Sequence, residues 1–393
     1  MIRTILGLHA GAGEHGVHSV LIDIPDQMGL IRPVFRMGMY QAFPLEVCRW
    51  LAKAGDKPSR ESRYFDNACK IIADQFSTLA LSTIKEANLK EESIFAVGCD
   101  SSLGAMEGSR RFLAFRGWGP GQDISQTTGL SVVCINSDGD AGRSSSFDPI
   151  FSYPGASMFA QGNEPVLMIH LGGVIKISAF APGLPPLTFQ GGPCASLFEL
   201  IFNTESTASL GVDFLSKRAV QGKMQQPLLD KWSGLALRCM PFGKSKSRTD
   251  SALFLEEIQA GHTDHDAEDL LCSAHHFVIE LIKNQMEKVP AEYKGGRYII
   301  TGSHARNGFL RHLLGLSLAD KKLEIADSIG IPAPSWDSFS RALVATYALD
   351  GVNPLAGNSR TTMNRPLASF YPGSNASWGK CLRWMERHSR QAG

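Results

Sequence analysis

A chain of 393 residues is about two to three times the size of an ordinary domain, which argues for two packed units. Hydrophobic residues make up 43% and charged residues 20%, with 21 Phe, so the chain can build substantial cores and global disorder is excluded. Lys plus Arg number 39 against 38 Asp plus Glu; the net charge of +1 supplies no field to draw nucleic acid or anionic lipid, and no block of like charges supplies a local one.

In chain order, residues 5–8 form a short apolar strand that breaks into the glycine-rich segment 9–16 and resumes as a strand over 17–24. Residues 45–54 and 62–87 carry apolar side chains at helical spacing, among them Ile72, Phe76, Leu79 and Ile84, and 93–98 reads as a buried strand. A further strand spans 131–135. Residues 165–178 then repeat the opening pattern as strand, Gly172-Gly173 turn and strand. Gly191-Gly192 marks another turn, followed by a helix over 194–202. The segment 225–249 lacks clean periodicity and is expected to be a loop or insertion. Residues 264–289 have the strongest helical period in the chain. A strand over 297–301 ends in Gly302-Ser303-His304, a helix over 307–314 follows, and a helix over 338–348 is closed by Asp350-Gly351. Two halves that each open with strand, glycine turn and strand suggest a duplicated α/β unit with a cleft between the copies.

Cys48, Cys69, Cys99, Cys134, Cys194, Cys239, Cys272 and Cys381 never occur as CxxC and read as reduced core residues rather than a disulfide frame or zinc site. The N-terminal apolar stretch is too short and too glycine-rich for a secretory signal, and no run approaches a membrane span. A cytoplasmic protein without membrane or nucleic-acid partners is the expectation.

Tight glycine turns present backbone N–H groups to phosphates, because no Cβ blocks the approach; each turn also has a purely structural reading. None matches GxxxxGK[ST] or GxGxxG. The run Gly7-Leu8-His9-Ala10-Gly11-Ala12-Gly13-Glu14-His15-Gly16-Val17-His18 aligns without a gap with the form GLMSGTSLDGID. Residues 128–141 resemble TG..VV.DFR..DVA, and 169–178 resemble LNIGGIANIT. Residues 189–195 are similar to FDTGPGN, residues 302–307 to GGGARN, and Gly330-Ile331-Pro332-Ala333 with Asp337 to GIPAD..EA.

On these motifs, ordered from residue 5 to about 375, the chain resembles the anhydro-N-acetylmuramic acid kinases. The resemblance implies an α/β fold of two RNase H-like (actin/hexokinase-type) domains with a central cleft. Residues 1–130 plus about 365–393 would form the first and 131–364 the second. It also implies ATP and Mg²⁺, a small sugar-like substrate and a homodimer. By the same resemblance, Gly11, Ala12, Gly13, Gly172, Gly173, Gly191, Gly192, Gly302 and Asn307 would hold the nucleotide. Asp140 falls at the catalytic base that activates water to open the 1,6-anhydro ring, although its surroundings also suit a polar turn. Asp148 is the nearest substitute acid and, with Lys176, would face the substrate; Lys176 stands where the family has Asn and reaches either phosphate or a surface carboxylate.

Several family side chains are missing. The Ser and Thr of the first turn are replaced by Ala10, Ala12 and Gly13, and its acidic pair by His15 and His18. The first Asp of DFR becomes Ile135, and the Asp of FDTGPGN becomes Gln190. A kinase, a pseudokinase with a binding or scaffolding role, and a biosynthetic enzyme with another acceptor therefore all remain open. His9, His15 and His18 gather around one turn without an acidic or cysteine partner at ligand spacing, so an anionic ligand suits them better than a metal. His262, His265, His275 and His276 are expected in a polar loop and on a solvated helix face.

Overall fold

The computed structural model describes residues 2–10, 16–25, 31–44, 46, 63–100, 120–135, 148–159, 162–202, 212–239, 258, 265–351 and 368–389. In the first half, β1 (Ile2–His9), β2 (Gly16–Pro25) and β3 (Val34–Ala42) form an antiparallel meander. Helix α1 (Arg63–Glu86) leads to β4 (Ile94–Asp100), and α2 (Gly121–Thr128) to β5 (Val132–Ile135). β4 is parallel to β1 and β5 is parallel to β4. After α3 (Pro149–Phe159), a second meander runs through β6 (Val166–Leu171), β7 (Val174–Phe180) and β8 (Leu187–Pro193). Helices α4 (Ala195–Phe202), α5 (Val212–Ala219), α6 (Gln226–Cys239) and α7 (Ala267–Glu287) precede β9 (Arg297–Thr301). Then come α8 (Gly308–Ser317), β10 (Lys322–Ile325), α9 (Trp336–Asp350), β11 (Ala368–Tyr371) and α10 (Asn375–Ser389).

The two sheets have the orders β3-β2-β1-β4-β5-β11 and β8-β7-β6-β9-β10. In each, a three-stranded meander is extended by two parallel strands beside its first member, so the same RNase H-like unit occurs twice, in the actin/hexokinase-type arrangement. All seven residues of β4 are buried, as a strand covered on both faces requires. On one face Leu6, Leu8 and Leu21 pack with Ile72, Phe76 and Leu79 of α1. Ile5, Val20 and Ile22 instead join Phe339, Ala342 and Leu343 of α9 in a larger core that continues into the second sheet.

The chain crosses between the sheets twice. α3 leaves β5 and packs on β7 and β8; α9 returns and packs on β1, β2, β4 and β5; the two helices touch. α9 is buried around nearly its whole circumference, as befits a helix enclosed between layers. Its close seat on the first sheet depends on two glycines. A Cβ on Gly7 would overlap the carbonyl oxygen of Ser338, and one on Gly98 that of Arg341.

Three expectations are corrected. Residues 226–239, inside the segment read as a loop, form α6, with Leu228, Leu229, Trp232, Leu235 and Ala236 buried at helical spacing against α7; Gly234 and neighbouring polar residues obscured that stripe. Gly191 and Gly192 lie within β8 rather than in a turn. The β7–β8 register shifts between Ile175 and Lys176, leaving Gly191 as the extra residue of a bulge whose absent Cβ makes room for Ile175. His275 is buried inside the molecule, not on a solvated face. The helix expected over 45–54 lies outside the described residues, apart from Glu46. β5 belongs to the first sheet, and α9 packs upon it.

Candidate active site

Parallel strands of open α/β sheets offer their carboxyl ends to ligands, since loops and helix starts there surround a crevice. Here those ends carry a connected set of polar side chains, buried except for the half-buried His9. His9 ends β1 and Asp100 ends the neighbouring β4, with His9 Nδ1 3.4 Å from Asp100 Oδ2. His170 on β6 stands opposite Thr301 at the end of β9, with its Nδ1 3.1 Å from Thr301 Oγ1. Both imidazoles turn their Nε2 to one carboxylate at the start of α9. His170 Nε2 lies 3.3 Å from Asp337 Oδ2, and His9 Nε2 lies 4.0 Å from Asp337 Oδ1.

One turn further along α9, Arg341 completes the set. Its Nε donates to Asp100 Oδ2 at 2.7 Å, and its Nη1 donates to the Asp337 carbonyl at 2.7 Å and to Asp337 Oδ1 at 3.2 Å. Burial would push both carboxyls up. For Asp100 the Arg341 guanidinium and His9 outweigh it, and for Asp337 His170, His9 and Arg341 do so, holding both carboxyls below the usual carboxylate range. Burial pulls the Arg341 guanidinium down, but Asp100 and Asp337 more than restore it, so its pKa is raised. The set thus contains two ionised carboxylates and one guanidinium, with two imidazoles between them.

Among the residues expected from sequence, Lys176 and Asp148 border this set. Lys176 Nζ donates to Asp148 Oδ2 at 2.9 Å and lies 4.0 Å from the centre of the Phe151 ring, which in turn meets His170 edge-on at 4.8 Å. Lys176 thus pairs with a carboxylate, and its charge also acts on Asp337. Asp148 Oδ1 accepts from the Ile150 N–H at the start of α3. Gly172 and Gly173 form the β6–β7 turn, and their carbonyls accept from the N–H groups of Ala195 and Cys194 at 3.1 Å each, docking the turn on the start of α4. A side chain on Gly172 would crowd His170. Gly302, with φ +93, closes β9 against the Leu171 backbone.

Asn307 is fully buried: its side-chain oxygen caps α8 by accepting from the Leu310 N–H, and its amide nitrogen meets His275. It is not part of the carboxylate–imidazole set. Gly191 packs against Ile175 and Gln285. Gly11, Ala12, Gly13, His15 and Asp140 lie outside the described residues.

Reasoning from sequence did not single out Asp100, His170, Thr301 or Arg341, and gave His9 no carboxylate partner. A signal was present: His9-Ala10-Gly11 and His170-Leu171-Gly172 place a histidine two residues before the glycine of each hairpin.

The profile of the family "Anhydro-N-acetylmuramic acid kinase" matches residues 3–370. The chain belongs to the anhydro-N-acetylmuramic acid kinase family. Proteins named anhydro-N-acetylmuramic acid kinase from Streptomyces coelicolor and Bordetella petrii are 23% identical over 257 residues and 24% identical over 262 residues. The matches cover 64% and 63% of this chain and 63% and 66% of those proteins, so each spans a little under two thirds of the relative's own length. Among solved structures, the activator of the 2-hydroxyisocaproyl-CoA dehydratase from Clostridium difficile with bound ADPNP is similar at a TM-score of 0.45 and 10% identity, over 90% of this chain and 98% of that one. Within the kinase family motifs, this chain has His9 for Met, and His170 and Lys176 each for Asn. The three basic replacements converge around Asp337 and Asp148.

Proposed function

We propose that this chain is an ATP-dependent sugar kinase acting on anhydro-N-acetylmuramic acid or a closely related anhydro amino sugar, with nucleotide and sugar meeting between the two halves. The observation that carries this reading is the polar set at the carboxyl ends of β1, β4, β6 and β9, in a chain that belongs to this kinase family. Asp140 is the base that takes a proton from the water attacking the anomeric carbon; the bridging C1–O6 bond breaks, O6 takes the γ-phosphoryl group of ATP, and ADP leaves. By the family motifs, the backbones at Gly11 to Gly13 and at Gly172-Gly173 would hold the phosphates, whereas the Gly302 N–H already donates to the Ala333 carbonyl at 2.9 Å. Lys176 and Asp148 border the sugar. A homodimer in the cytoplasm, and a division into two domains that follows the two sheets, belong to the same reading.

Mg²⁺ would ordinarily accompany ATP, and the described side chains do not fit it. Asp100, Asp148 and Asp337 are each paired with a cationic side chain, and among the described residues no group of three or more His, Cys, Asp and Glu is placed to hold a metal ion. This commitment of the acids, together with the hydroxyls lost at Ala10 and Ala12, favours a second reading: a pseudokinase that keeps nucleotide binding without turnover.

Calorimetric titration of ATP, followed by a search for ADP release with anhydro-N-acetylmuramic acid, separates the two. Turnover that disappears in Asp140→Asn while ATP binding stays supports the kinase. Binding without turnover supports the pseudokinase, and absence of ATP binding removes both.

A further inference from the structure

At the start of α9 the passage of the chain from the second half to the first can be followed residue by residue. The Gly302 N–H at the end of β9 donates to the Ala333 carbonyl at 2.9 Å, and the Trp336 ring stacks on Phe159, which packs on Phe180 of β7. Up to Trp336, therefore, the chain is attached to the second half. From Ser338 onward it is attached to the first. Ser338 Oγ donates to the His18 carbonyl on β2 at 3.1 Å, the Ser338 and Arg341 carbonyls lie against Gly7 and Gly98, and Arg341 Nε donates to Asp100 at 2.7 Å. Asp337 stands at the changeover, where a hinge between the halves would fall.

Its carboxylate is held from both sides. Oδ1 accepts from Arg341 Nη1 at 3.2 Å, and Oδ2 lies 3.3 Å from Nε2 of His170 on β6. A carboxylate only accepts, so Nε2 carries the hydrogen, while Thr301 Oγ1 at 3.1 Å from Nδ1 fixes the ring. Asp337 is 5% exposed and His170 4%, so water does not compete for this bond, and a hydrogen bond to an ionised group is among the stronger that proteins make. Thr301, His170, Asp337, Arg341 and Asp100 thus form one chain of contacts from the ends of β9 and β6 to the end of β4. At position 170 the family motif has Asn. The amide nitrogen of Asn extends from the backbone about as far as Nδ1 of histidine and does not reach where Nε2 meets Asp337.

We propose that the His170–Asp337 bond is a latch by which this chain holds its two halves together across the cleft without a ligand. Arg341 fixes Asp337 to the first half, Thr301 fixes His170 in the second, and the bond between them spans the hinge. A bond of this kind shifts the balance between closed and open arrangements by about ten- to a hundredfold. The latch is independent of what the cleft binds, so it stands or falls apart from the kinase reading.

The test is X-ray scattering from the full chain in solution without ligand, comparing the native protein with His170→Asn and His170→Gln. Gln carries its amide nitrogen about as far out as Nε2 of histidine. His170→Asn is expected to have a larger radius of gyration than the native protein at the same molecular mass, and His170→Gln to return to the native value. Equal radii in the native protein and His170→Asn, or equal expansion in both variants, overturns the proposal. A crystal structure of the ligand-free native protein decides the matter where His170→Asn fails to fold. His170 Nε2 within hydrogen-bond distance of Asp337 Oδ2 supports the latch, and a wider cleft with the two side chains apart overturns it.

Discussion

The amide nitrogen of Asn307 lies 2.9 Å from Nε2 of His275, and the contact leaves each side chain a single workable state. His275 Nδ1 is 2.7 Å from the Leu271 carbonyl, which only accepts, so Nδ1 carries the hydrogen and Nε2 receives one from Asn307. Phe198 stacks on the ring at 4.3 Å. A proton on Nε2 would point at an amide N–H, so the buried ring is held neutral.

The pH dependence of stability follows. Burial pushes His275 down from 6.5 to about 4, against the pull of its bonds to Leu271 and Asn307. The folded pKa lies below the unfolded one, so the stabilisation is fully present above 6.5 and is lost as pH falls toward 4. The loss approaches about 3 kcal/mol at the acid end. Urea unfolding at a series of pH values across that window measures it. His275→Gln, which keeps polar partners for Leu271 and Asn307 without titrating, is expected to flatten the curve; an unchanged slope would show that another group is responsible.

Arg3 ties three distant elements together. Its guanidinium pairs with both oxygens of Asp350 at the end of α9 and lies 3.9 Å from the centre of the Trp384 ring on α10, whose indole N–H donates to Asp350 at 2.7 Å. Asp350→Ala leaves a buried guanidinium unpaired and is expected to lower stability by about 3 to 5 kcal/mol. A chemical-denaturation midpoint within error of the native one would contradict this.

Two glycine substitutions are expected to have opposite signs. In Gly7→Ala the new methyl group collides with the Ser338 carbonyl and forces α9 off the first sheet, so the variant is expected to unfold or to lose several kcal/mol. Gly234 sits on the exposed face of α6 with open space where a Cβ would go, and Gly234→Ala is expected to gain about 0.5 to 1 kcal/mol through helix propensity. Thermal unfolding of the pair checks both directions.

Thiol chemistry gives a further check on the core. Cys99 and Cys134 face each other across β4 and β5 with sulfurs 3.3 Å apart, and the Cys134 thiol together with burial pushes the Cys99 thiol up, away from the reactive thiolate. Cys99, Cys134, Cys194, Cys272 and Cys381 are all buried and form no disulfide. A short pulse of iodoacetamide read by mass spectrometry is expected to spare these five in the native protein and to label them in urea. Native labelling of Cys99 or Cys134 would mean that the first sheet opens locally.

Elements whose signal is contained in a short stretch of chain were legible. α7 shows an apolar stripe, α9 ends at Gly351 in a left-handed conformation, and the β6–β7 hairpin turns at Gly172-Gly173. α6 was missed because its five buried residues are interrupted by Gly234 and polar neighbours, which lowers the apparent periodicity of a helix that packing nonetheless stabilises. The β8 bulge was read as a turn because paired glycines announce either, and only the facing strand decides which.

The candidate site was legible in pieces. Lys176 and Asp148 are both legible as candidates; their direct contact is not, and neither is the convergence of His9, His170 and Arg341 on Asp337.

Local order along the chain, hydrophobic period and glycine placement were enough to establish the duplicated α/β unit and, through its motifs, the kinase family, because these properties belong to neighbouring residues. Which side chains meet depends on two sheets and a crossing helix coming together. A carboxylate on α9 finds an imidazole from each half only after glycines at 7 and 98 let that helix lie flat on the first sheet.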